Sequence, residues 1–410
     1  MNSKAKQPRA PQIPLALAAK SQHAIALHQQ GKLADAERLY RQILTAMPTH
    51  FDALHLLGVI KGQQHEFAAA VPFFEQALRI NPDSAAAFNN FGNVLQALGR
   101  YAQALASYDR SLALRPGNPK GLMQRGNVLR KLGRSDEALV SYDRALLQQP
   151  DYIDALIHRG GVLADMGRQD EAVAAYRTAL ASGGDAQRIR YSLACLGAEP
   201  MPKAAPVEYV KDLFDQYAEA FDEHLTETLE YKTPTLLVNA MRELVTPTAV
   251  PLDVLDLGCG TGLCGPLLRP FARTLVGVDL SPKMLAKARE RGGYDELVCA
   301  ELAAYLADQS QRFDLGVAAD VFVYIGDLSE VFAGIGKALR PGGIFGFSVE
   351  AGEEETDAAL QPTHRFVHSL GYLRRLAAVQ GFAIESVESR MIRKSRDVDV
   401  PGYLVVMRRP

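Results

Sequence analysis

The first half of the chain repeats itself every 34 residues, and this period constrains the fold more than any other feature of the sequence. Proline recurs at that interval at Pro48, Pro82, Pro116 and Pro150. Aromatic residues, alanines and glycines recur in registers of their own: Tyr40, Phe74, Tyr108, Tyr142 and Tyr176; Ala36, Ala70, Ala104, Ala138 and Ala172; Gly58, Gly92, Gly126 and Gly160. Such self-similarity predicts a stack of repeated units, because no single unit can bury its apolar face without its neighbours.

The period and these residue types resemble the tetratricopeptide repeat, a helix-turn-helix unit, over residues 14–186. The resemblance implies about five helix pairs that stack into an α solenoid with one concave face. Concave faces of this kind usually hold peptides, so the resemblance also implies a protein or peptide partner. The small residue in each copy, such as Gly58 in the second, would let the two helices of a pair touch.

Polar side chains in the third and fourth copies are candidates for contact with that partner. Asn89, Asn93 and Gln96 are spaced i, i+4, i+7 and share one helix face, and Asn127 with Arg130 repeats the pattern. Asparagine is a poor helix former, so a row of it inside helices needs a reason, such as hydrogen bonding to a peptide backbone. A solvated helix face is the alternative, and the sequence does not decide between them.

Composition is that of an ordinary soluble protein with two or three domains. Of 410 residues, 48% are hydrophobic and 22% are charged, and 45 lysines and arginines stand against 47 aspartates and glutamates. This balance gives no general attraction to nucleic acid or to an anionic membrane. The four cysteines form no CxxC pair, so we predict a reducing, cytoplasmic setting.

Two segments outside the repeats are predicted to lack a fold of their own. Residues 1–13 are interpreted as a disordered leader; a signal peptide is the weaker alternative, since prolines and a lysine interrupt the apolar stretch. No stretch of the sequence reaches the ~20 apolar residues of a membrane span. Residues 187–206 are rich in proline and alanine, which predicts a linker or stiff connector.

Two helices are predicted between the linker and the next domain. Residues 207–225 have apolar and aromatic side chains at helical spacing, with Phe221 and Leu225 among them, and a second helix is expected after Lys232. These helices could cap the domain that follows. His224 and Tyr231 would lie near the helix ends, where they either reach a pocket or pack as part of the cap.

A glycine-rich stretch, VLDLGCGTGLCG at residues 254–265, organises the second half of the chain. The apolar run at 251–257 predicts a buried strand, and residues 263–271 predict the helix that follows, so the glycines form the turn between them. A turn without Cβ atoms bends sharply and lets a ligand approach its peptide groups. The following helix would direct free N–H groups and its positive dipole end at that ligand.

Further short apolar runs alternate with helical segments through the rest of the chain. Together with the first strand they predict a seven-stranded, doubly wound, Rossmann-like α/β domain over residues 207–410. A ligand of such a sheet lies at the carboxyl ends of the strands, beside the first loop. The acidic segment between Glu350 and His368 is predicted to be a mobile flap over the pocket. The runs are Thr274–Val278, Leu297–Cys299, Leu315–Ala318, Ile344–Val349, Ala383–Val387 and Tyr403–Met407.

Two cofactor classes use this arrangement. Gly260, Gly262 and Gly265 spell GxGxxG, with Asp279 about 20 residues further on, as in dinucleotide-binding proteins. Asp256 argues against that class, because a carboxylate inside the first strand, two residues before Gly258, would repel phosphate. It suits a ligand that has an ammonium group and no phosphate.

The stretches VLDLGCGTGLCG, LVGVDLSPKMLAKAR, FDLGVAADVFVYIGDL and LRPGGIFGFSVE resemble the class I S-adenosylmethionine-dependent methyltransferases. The likeness extends over residues 207–410 and is greatest to bacterial methyltransferases preceded by tetratricopeptide repeats. It implies S-adenosyl-L-methionine as cofactor. It also implies the residues that would bind it: Asp256, Gly258, Gly260 and Gly262 at the methionine end, Asp279 at the ribose, Leu280 and Met284 at the adenine, Glu301 and Leu302 in place of the family's adenine-facing aspartate, and Asp320 beside the methyl group.

Catalysis is harder to place from the sequence. Methyl transfer is an in-line displacement, and a general base is needed only if the nucleophile bears a proton. Tyr324, Glu350 and His368 are the candidate catalytic residues, each with substrate lining or core packing as the alternative. No metal cluster and no nucleic-acid signature is present in the sequence.

Three functions remain open at this point. The first is a methyltransferase whose repeats recruit a protein substrate or carrier, or one that acts on a small molecule. The second is a non-catalytic scaffold that binds S-adenosylmethionine. The third is a dehydrogenase that uses a nicotinamide dinucleotide. The methyl acceptor and the oligomeric state are not indicated by the sequence.

Overall fold

A computed structural model describes residues 15–218, 232–245, 250–395 and 398–410. The chain divides into two compact units, Met1–Gly184 and Asp185–Pro410, and each is described by itself. The predicted leader, residues 1–13, lies outside the described residues, as do Phe221, His224, Leu225 and Tyr231 of the predicted cap.

The first unit is a solenoid of paired helices, as predicted from the 34-residue period. In each pair the second helix begins four residues after the first one ends, and every pair belongs to one copy of the repeat. The helices are α1 Leu15–Gln29, α2 Leu33–Ala46, α3 Phe51–Gln63, α4 Phe67–Ile80, α5 Ala85–Ala97, α6 Tyr101–Leu114, α7 Pro119–Lys131, α8 Ser135–Gln148, α9 Ile153–Asp165 and α10 Gln169–Ala181.

The repeated glycines and aromatic residues contact one another within each pair. A Cβ atom built on Gly126 would lie 2.5 Å from Cε1 of Tyr142, and one on Gly92 would lie 2.6 Å from Cε1 of Tyr108. Tyr108 and Tyr142 are fully buried. The glycine is therefore needed because the aromatic ring of the second helix lies directly against the backbone of the first.

The second unit begins with a helix in the region predicted as a linker. Helix α11 spans Ala186–Cys195 and is capped by Asp185, whose carboxylate accepts hydrogen bonds from two backbone amides. Tyr191 is 2% exposed and donates a hydrogen bond to the backbone oxygen of His364 at 2.8 Å. Part of the 187–206 segment is thus ordered by long-range packing, which its proline and alanine content does not reveal.

A nine-stranded sheet forms the centre of the second unit, two strands more than predicted from the apolar runs. Strands β1 to β5 run parallel in the order β3-β2-β1-β4-β5. Strand β9 pairs antiparallel with β5 and β8. The strands are β1 Leu252–Leu257, β2 Ala272–Asp279, β3 Glu296–Cys299, β4 Phe313–Ala318, β5 Leu339–Ala351, β6 Ala358–Leu360, β7 Phe366–His368, β8 Ala383–Ser395 and β9 Val398–Arg408.

Helices cover both faces of this sheet. Leu255 and Leu257 of β1 face one apolar core, and Val254 faces the other, as expected from alternation along a strand. The doubly wound α/β architecture predicted from the sequence is therefore confirmed. The helices are α12 Val207–Tyr217, α13 Thr233–Val245, α14 Gly265–Leu268, α15 Pro282–Arg291, α16 Leu302–Ala307, α17 Ser329–Ala338 and α18 Leu370–Val379.

The two additional strands fall in the segment predicted to be a flap. Strands β6 and β7 pair antiparallel with each other, and β7 extends the sheet by pairing with Glu350 and Ala351 at the end of β5. Strands β8 and β9, with 13 and 11 residues, are also more than twice as long as the apolar runs that predicted them. No helix among the described residues is long and apolar enough to cross a membrane.

Candidate functional site

The glycine loop leaves the carboxyl end of β1. Gly258, Gly260 and Gly262 have φ angles of +65°, +54° and +85°, which side chains other than glycine rarely adopt. The amide of Cys259 donates to the oxygen of Val278 at 3.0 Å, which ties the loop to β2. The predicted turn at this point is present, and its backbone conformation explains the choice of glycine.

The helix after the loop is much shorter than predicted. Residues 263–271 were expected to form one helix, but α14 has four residues and is followed by a 3-10 turn, Arg269–Phe271. Proline at 266 and 270 limits the hydrogen bonds that a longer helix would need. A strong helix dipole directed at a ligand is therefore absent from this part of the described structure.

Asp279 ends β2 and joins the glycine loop directly. Its Oδ2 accepts a hydrogen bond from the amide of Gly260 at 2.9 Å, and its Oδ1 accepts one from the amide of Ser281 at 2.8 Å. Burial raises the pKa of Asp279, while these amide bonds act in the opposite direction. Leu280 adds a further backbone hydrogen bond, and a carboxylate with about four lone-pair sites still has capacity beyond these bonds.

Asp256 lies in β1 and is almost fully buried, with 1% of its surface exposed. The hydroxyl of Tyr294 donates to Oδ2 of Asp256 at 2.6 Å. Burial raises the pKa of Asp256 to about 7, and the bond from Tyr294 opposes that rise. Tyr294 also lies against Gly262, where a Cβ atom would be 3.0 Å from its ring. The acid that we expected at the methionine end thus supports the loop through a tyrosine that the sequence did not single out.

Helix α15 begins beside Asp279. Ser281 caps it by accepting a hydrogen bond from the amide of Met284, and donates its own hydroxyl to Asp215 of α12 at 2.6 Å. Met284 is fully buried in the core, and Leu280 is half-buried. Of the two residues expected near the adenine, only Leu280 has an accessible surface in this structure.

Glu301 and Leu302 have local structural roles. The Glu301 carboxylate accepts a hydrogen bond from the amide of Ala304 at 2.8 Å and so caps α16. Leu302 is 8% exposed and belongs to the core on one face of the sheet. Glutamate is not one of the residues preferred at the N-cap position, so the sequence did not indicate this role.

Asp320 follows β4 and lies in a cluster of buried charges. It has a φ of +59°, unusual for a residue other than glycine, and such strain is concentrated at functional sites. Its backbone amide donates to the hydroxyl of Ser348 at 2.8 Å, and Arg365 lies 3.6 Å from its Oδ2. Its Oδ1 is buried without a hydrogen-bond partner among the described residues.

Glu350 and Tyr324, two of the three candidate catalytic residues, belong to the same cluster. Glu350 is 6% exposed and accepts from Arg365 at 3.2 Å and from Arg393 at 2.5 Å. Tyr324 lies under the Arg365 guanidinium, 5.5 Å from its ring centroid, and burial raises the pKa of its hydroxyl. The structure therefore brings together three of the predicted residues, Asp320, Tyr324 and Glu350, around two arginines that the sequence analysis did not assign to the site.

His368 is fully buried behind this cluster. Its Nε2 donates to the backbone oxygen of Ile325 at 2.9 Å, and its ring stacks on Tyr372 with a centroid distance of 6.0 Å. Burial lowers the pKa of His368 to about 4, so it is neutral at pH 7. In this structure it packs within the fold.

The polar row of the repeats is largely bonded within the solenoid. The hydroxyl of Tyr108 donates to Oδ1 of Asn93 at 2.7 Å and lies 3.1 Å from Oε1 of Gln96. In the next copy, Tyr142 donates to Asn127 at 2.7 Å. These bonds give the asparagines a structural purpose, since each one satisfies a tyrosine buried in the helix pair.

Two further residues of that row differ in their surroundings. Arg130 pairs with Asp165 at 2.8 Å, an ion pair that links successive copies. Asn89 lines a cavity of about 170 Å³ with Asn90 and Asn118, and its Oδ1 has no hydrogen-bond partner among the described residues. Of the row, Asn89 is the residue whose side-chain oxygen has no partner among the described residues, and that oxygen is itself buried.

Comparison with known proteins agrees with this architecture. A family model described as a methyltransferase domain matches residues 255–347. Three models of tetratricopeptide repeats match residues 15–83, 63–126 and 123–194. These matches confirm the two predictions drawn from the sequence, tetratricopeptide repeats in the first half and a domain of the S-adenosylmethionine-dependent methyltransferase class in the second.

Individual relatives match only parts of the chain. A malonyl-[acyl-carrier protein] O-methyltransferase of Acetivibrio thermocellus is 33% identical over 24% of this chain, which spans 35% of that relative. A ubiquinone biosynthesis O-methyltransferase of Idiomarina loihiensis is 26% identical over 38% of this chain and 74% of its own length. A solved S-adenosylmethionine dependent methyltransferase from Mesorhizobium loti is 26% identical, with a TM-score of 0.35, and covers 42% of this chain and 96% of its own.

Proposed function

We propose that residues 185–410 form an S-adenosylmethionine-dependent methyltransferase. The observation that carries this proposal is the junction of the glycine loop with Asp279. The carboxylate of Asp279, at the end of β2, accepts a hydrogen bond from the amide of Gly260. On either side of Gly260 in the loop, Gly258 and Gly262 have left-handed backbone conformations. A backbone loop and an acid at adjacent strand ends suit a ligand that has a ribose diol, and the buried carboxylate of Asp256 beside the loop disfavours phosphate.

The residues present are suited to this cofactor. Asp279 has unused lone pairs for the two ribose hydroxyls, and Leu280 offers an accessible apolar surface beside it. Gly258, Gly260 and Gly262 would present backbone groups to the methionine end. When bound, S-adenosylmethionine supplies an activated methyl group on a positively charged sulfur. Asp256, held by Tyr294, would keep the loop in shape.

An oxygen atom is the acceptor that we favour. The O-methyltransferases among the similar proteins support this choice, although the chain spans only about a third of the first relative and three quarters of the second. Those names also favour a small acceptor, or one attached to a carrier protein, over a large folded substrate. Four unpaired cysteines fit the predicted reducing, cytoplasmic setting.

The repeats are proposed to bind a protein or peptide, either the substrate or its carrier. The cavity at Asn89 supports this, because the side chains of Asn90 and Asn118 also line it and give it polar groups that suit a peptide backbone. The oxygens of Asn93 and Asn127 are bonded to tyrosines, and the amide nitrogen of Asn127 also donates to Sδ of Met123 at 3.1 Å. Substitution Asn89→Ala should therefore weaken partner binding more than Asn127→Ala.

Isothermal titration with S-adenosylmethionine tests the cofactor site. We expect Asp279→Ala to lower affinity by about tenfold or more, since charge-assisted hydrogen bonds contribute about 1.5–3 kcal/mol each. Asp279→Asn, which keeps one oxygen, should lose less affinity and limit disturbance of the loop. Asp308→Ala is the matched control, because Asp308 is exposed and lies outside the site.

Two results would contradict the proposal. One is that neither the wild type nor Asp308→Ala binds the cofactor, and the other is that Asp279→Ala binds as tightly as the wild type. Binding of a nicotinamide dinucleotide in preference to S-adenosylmethionine would support the dehydrogenase instead.

A further inference from the structure

Four charged side chains are buried together at the carboxyl ends of β4 and β5. Arg365 contacts Asp320 and Glu350, and Arg393 contacts Glu350. The Arg393 side chain is only 7% exposed and that of Arg365 is 21% exposed. Burial of charges is costly unless they are paired or have a ligand to bind, so the cluster requires a purpose.

The cluster borders the glycine loop. Val321 directly follows Asp320, and its side chain lies against Gly258, where a Cβ atom would be only 2.5 Å away. Asp320 itself follows β4, the neighbour of β1 in the sheet. The charges therefore lie one strand away from the loop proposed to bind the cofactor, on the side where an acceptor must approach.

The three candidate bases are not available to remove a proton. Glu350 is held by two arginines. Tyr324 lies beneath the guanidinium of Arg365, and burial raises the pKa of its hydroxyl. His368 donates its Nε2 proton to a backbone oxygen, and its basic Nδ1, which has no partner among the described residues, is enclosed in the fold. An acceptor that must lose a proton during transfer would find no partner among these three residues.

Arg365 has hydrogen-bonding capacity left over. Of its five N–H donors, Nη1 donates to Glu350 and approaches Asp320, while the Nε and Nη2 groups have no acceptor among the described residues. Tyr324 supports the guanidinium from one face. A planar, supported fork of this kind matches a carboxylate in geometry as well as in charge.

We infer that the methyl acceptor is a carboxylic acid and that Arg365 binds and orients it; this inference rests on the proposed methyltransferase function. A lone pair of one carboxylate oxygen forms the new C–O bond as the bond from sulfur to the methyl carbon breaks. The electron pair of the broken bond stays on sulfur. A methyl ester and a neutral thioether result, and no proton moves, so no base is needed.

The chemistry of the product provides the first test. The protein is incubated with methyl-labelled S-adenosylmethionine and lysate of a strain that lacks this gene, and the product is treated with mild alkali. Methyl esters release the label as volatile methanol, whereas methyl ethers and methylamines do not, so we expect release. Label that is stable to alkali, or no incorporated label, would overturn the inference.

The cofactor titration then separates this inference from the proposed function. If the label is stable to alkali but the protein binds S-adenosylmethionine with an affinity that depends on Asp279, the proposed function stands and only the carboxylic acid acceptor is wrong. A protein that binds no cofactor loses both proposals.

A binding measurement tests Arg365 without turnover. Malonate, glutarate and the neutral malonamide are titrated into protein saturated with S-adenosylhomocysteine, which has no methyl group to transfer. We expect a heat of binding for at least one of the two dicarboxylates and none for malonamide. Arg365→Lys keeps the charge that neutralises Glu350 but loses the fork, and should weaken the dicarboxylate by about tenfold or more.

Arg312→Lys is the matched control, since Arg312 is exposed and pairs with Glu296 away from the cluster. Arg365→Gln provides a second variant, whose folding is checked by its affinity for S-adenosylhomocysteine. Equal dicarboxylate affinity in the wild type and in Arg365→Lys would overturn the inference, as would equal binding of malonamide or no binding of either dicarboxylate.

Discussion

Asp253 holds the amino end of β1 through an ion network, whereas the candidate site lies at the carboxyl ends of the strands. It is 7% exposed and pairs with Arg273 and, at 2.9 Å, with Arg340, while the Thr274 hydroxyl donates to it at 2.6 Å. These partners, with Arg273 first, hold the pKa of Asp253 well below its usual range. A depressed pKa means that the folded state prefers the charged carboxylate.

We expect Asp253→Asn to lower the free energy of unfolding at pH 7 by about 1–2 kcal/mol, a modest figure because the arginines are partly exposed. The stabilisation is present above the unfolded-state pKa of about 3.9 and is lost as the pH falls through the lower folded-state value. Urea unfolding at pH 7 and at pH 3 measures it, with Asp308→Asn as control. If the difference in the free energy of unfolding between the wild type and Asp253→Asn is as large at pH 3 as at pH 7, it does not come from the charge of the Asp253 carboxylate.

Tyr294 is the second residue for which we expect a clear effect. Tyr294→Phe removes the O–H group that donates to the buried carboxylate of Asp256. An unsatisfied buried acceptor costs about 1–3 kcal/mol, so both stability and cofactor affinity should fall. Urea unfolding and isothermal titration measure the two effects. Tyr305→Phe serves as control, because the only hydrogen-bonding contact of the Tyr305 hydroxyl among the described residues is a long one, 3.5 Å from Arg312. If Tyr305→Phe lost as much stability and cofactor affinity as Tyr294→Phe, the hydrogen bond to Asp256 would not explain the effect.

At the scale of elements, the solenoid depends on how closely two helices approach. The ring of Tyr142 in α8 lies so near the backbone of α7 that Gly126 cannot be replaced without movement. Gly62 in α3 differs, because a Cβ atom there would lie 3.5 Å from Val94, an ordinary contact. Both glycines are in helices, so the local cost of glycine is the same and only packing separates them.

We expect Gly126→Ala to destabilise the repeats by about 1–3 kcal/mol through overpacking. Gly62→Ala should instead stabilise them by about 0.5–1 kcal/mol, because alanine is the better helix former. Thermal and urea unfolding of residues 1–184, followed by circular dichroism, measures both variants. Effects of the same sign at the two positions would show that close approach of the helices does not control stability.

At the scale of the whole molecule, the boundary between the units lies before α11. Tyr191 and Cys195 of this helix form an apolar cluster with Ala205 and Phe366, so the helix belongs to the second unit. A fragment that starts at residue 207, where the sequence predicted the domain to begin, would lack most of that cluster.

We expect the fragment 185–410 to bind S-adenosylmethionine as the full chain does, and to lose any partner that the repeats bind. The fragment 207–410 should be less stable by about 3 kcal/mol or more, comparable to the loss of a large buried aromatic side chain. Urea midpoints of the two fragments test this. Equal midpoints would mean that α11 contributes nothing to the second unit.

The candidate site could be predicted from the sequence only in part. Gly258, Gly260, Gly262 and Asp279 were predicted because a strand, a turn and an acid at the next strand end form a local pattern, and in the structure the amide of Gly260 donates to Asp279. Met284 and Leu302 were expected near the adenine, but both are buried in the core. A helical residue just after a strand can face either the ligand or the sheet, and the local sequence does not indicate which.

The sequence by itself determined the repeats and the layered sheet, because both depend on periodicity within short segments. Only the tertiary structure decided which distant side chains meet. Tyr294 reaches Asp256 across 38 residues, and Arg365 and Arg393 reach Glu350 across 15 and 43. Such contacts follow from strand order and register, since parallel strands bring together residues that no local pattern connects.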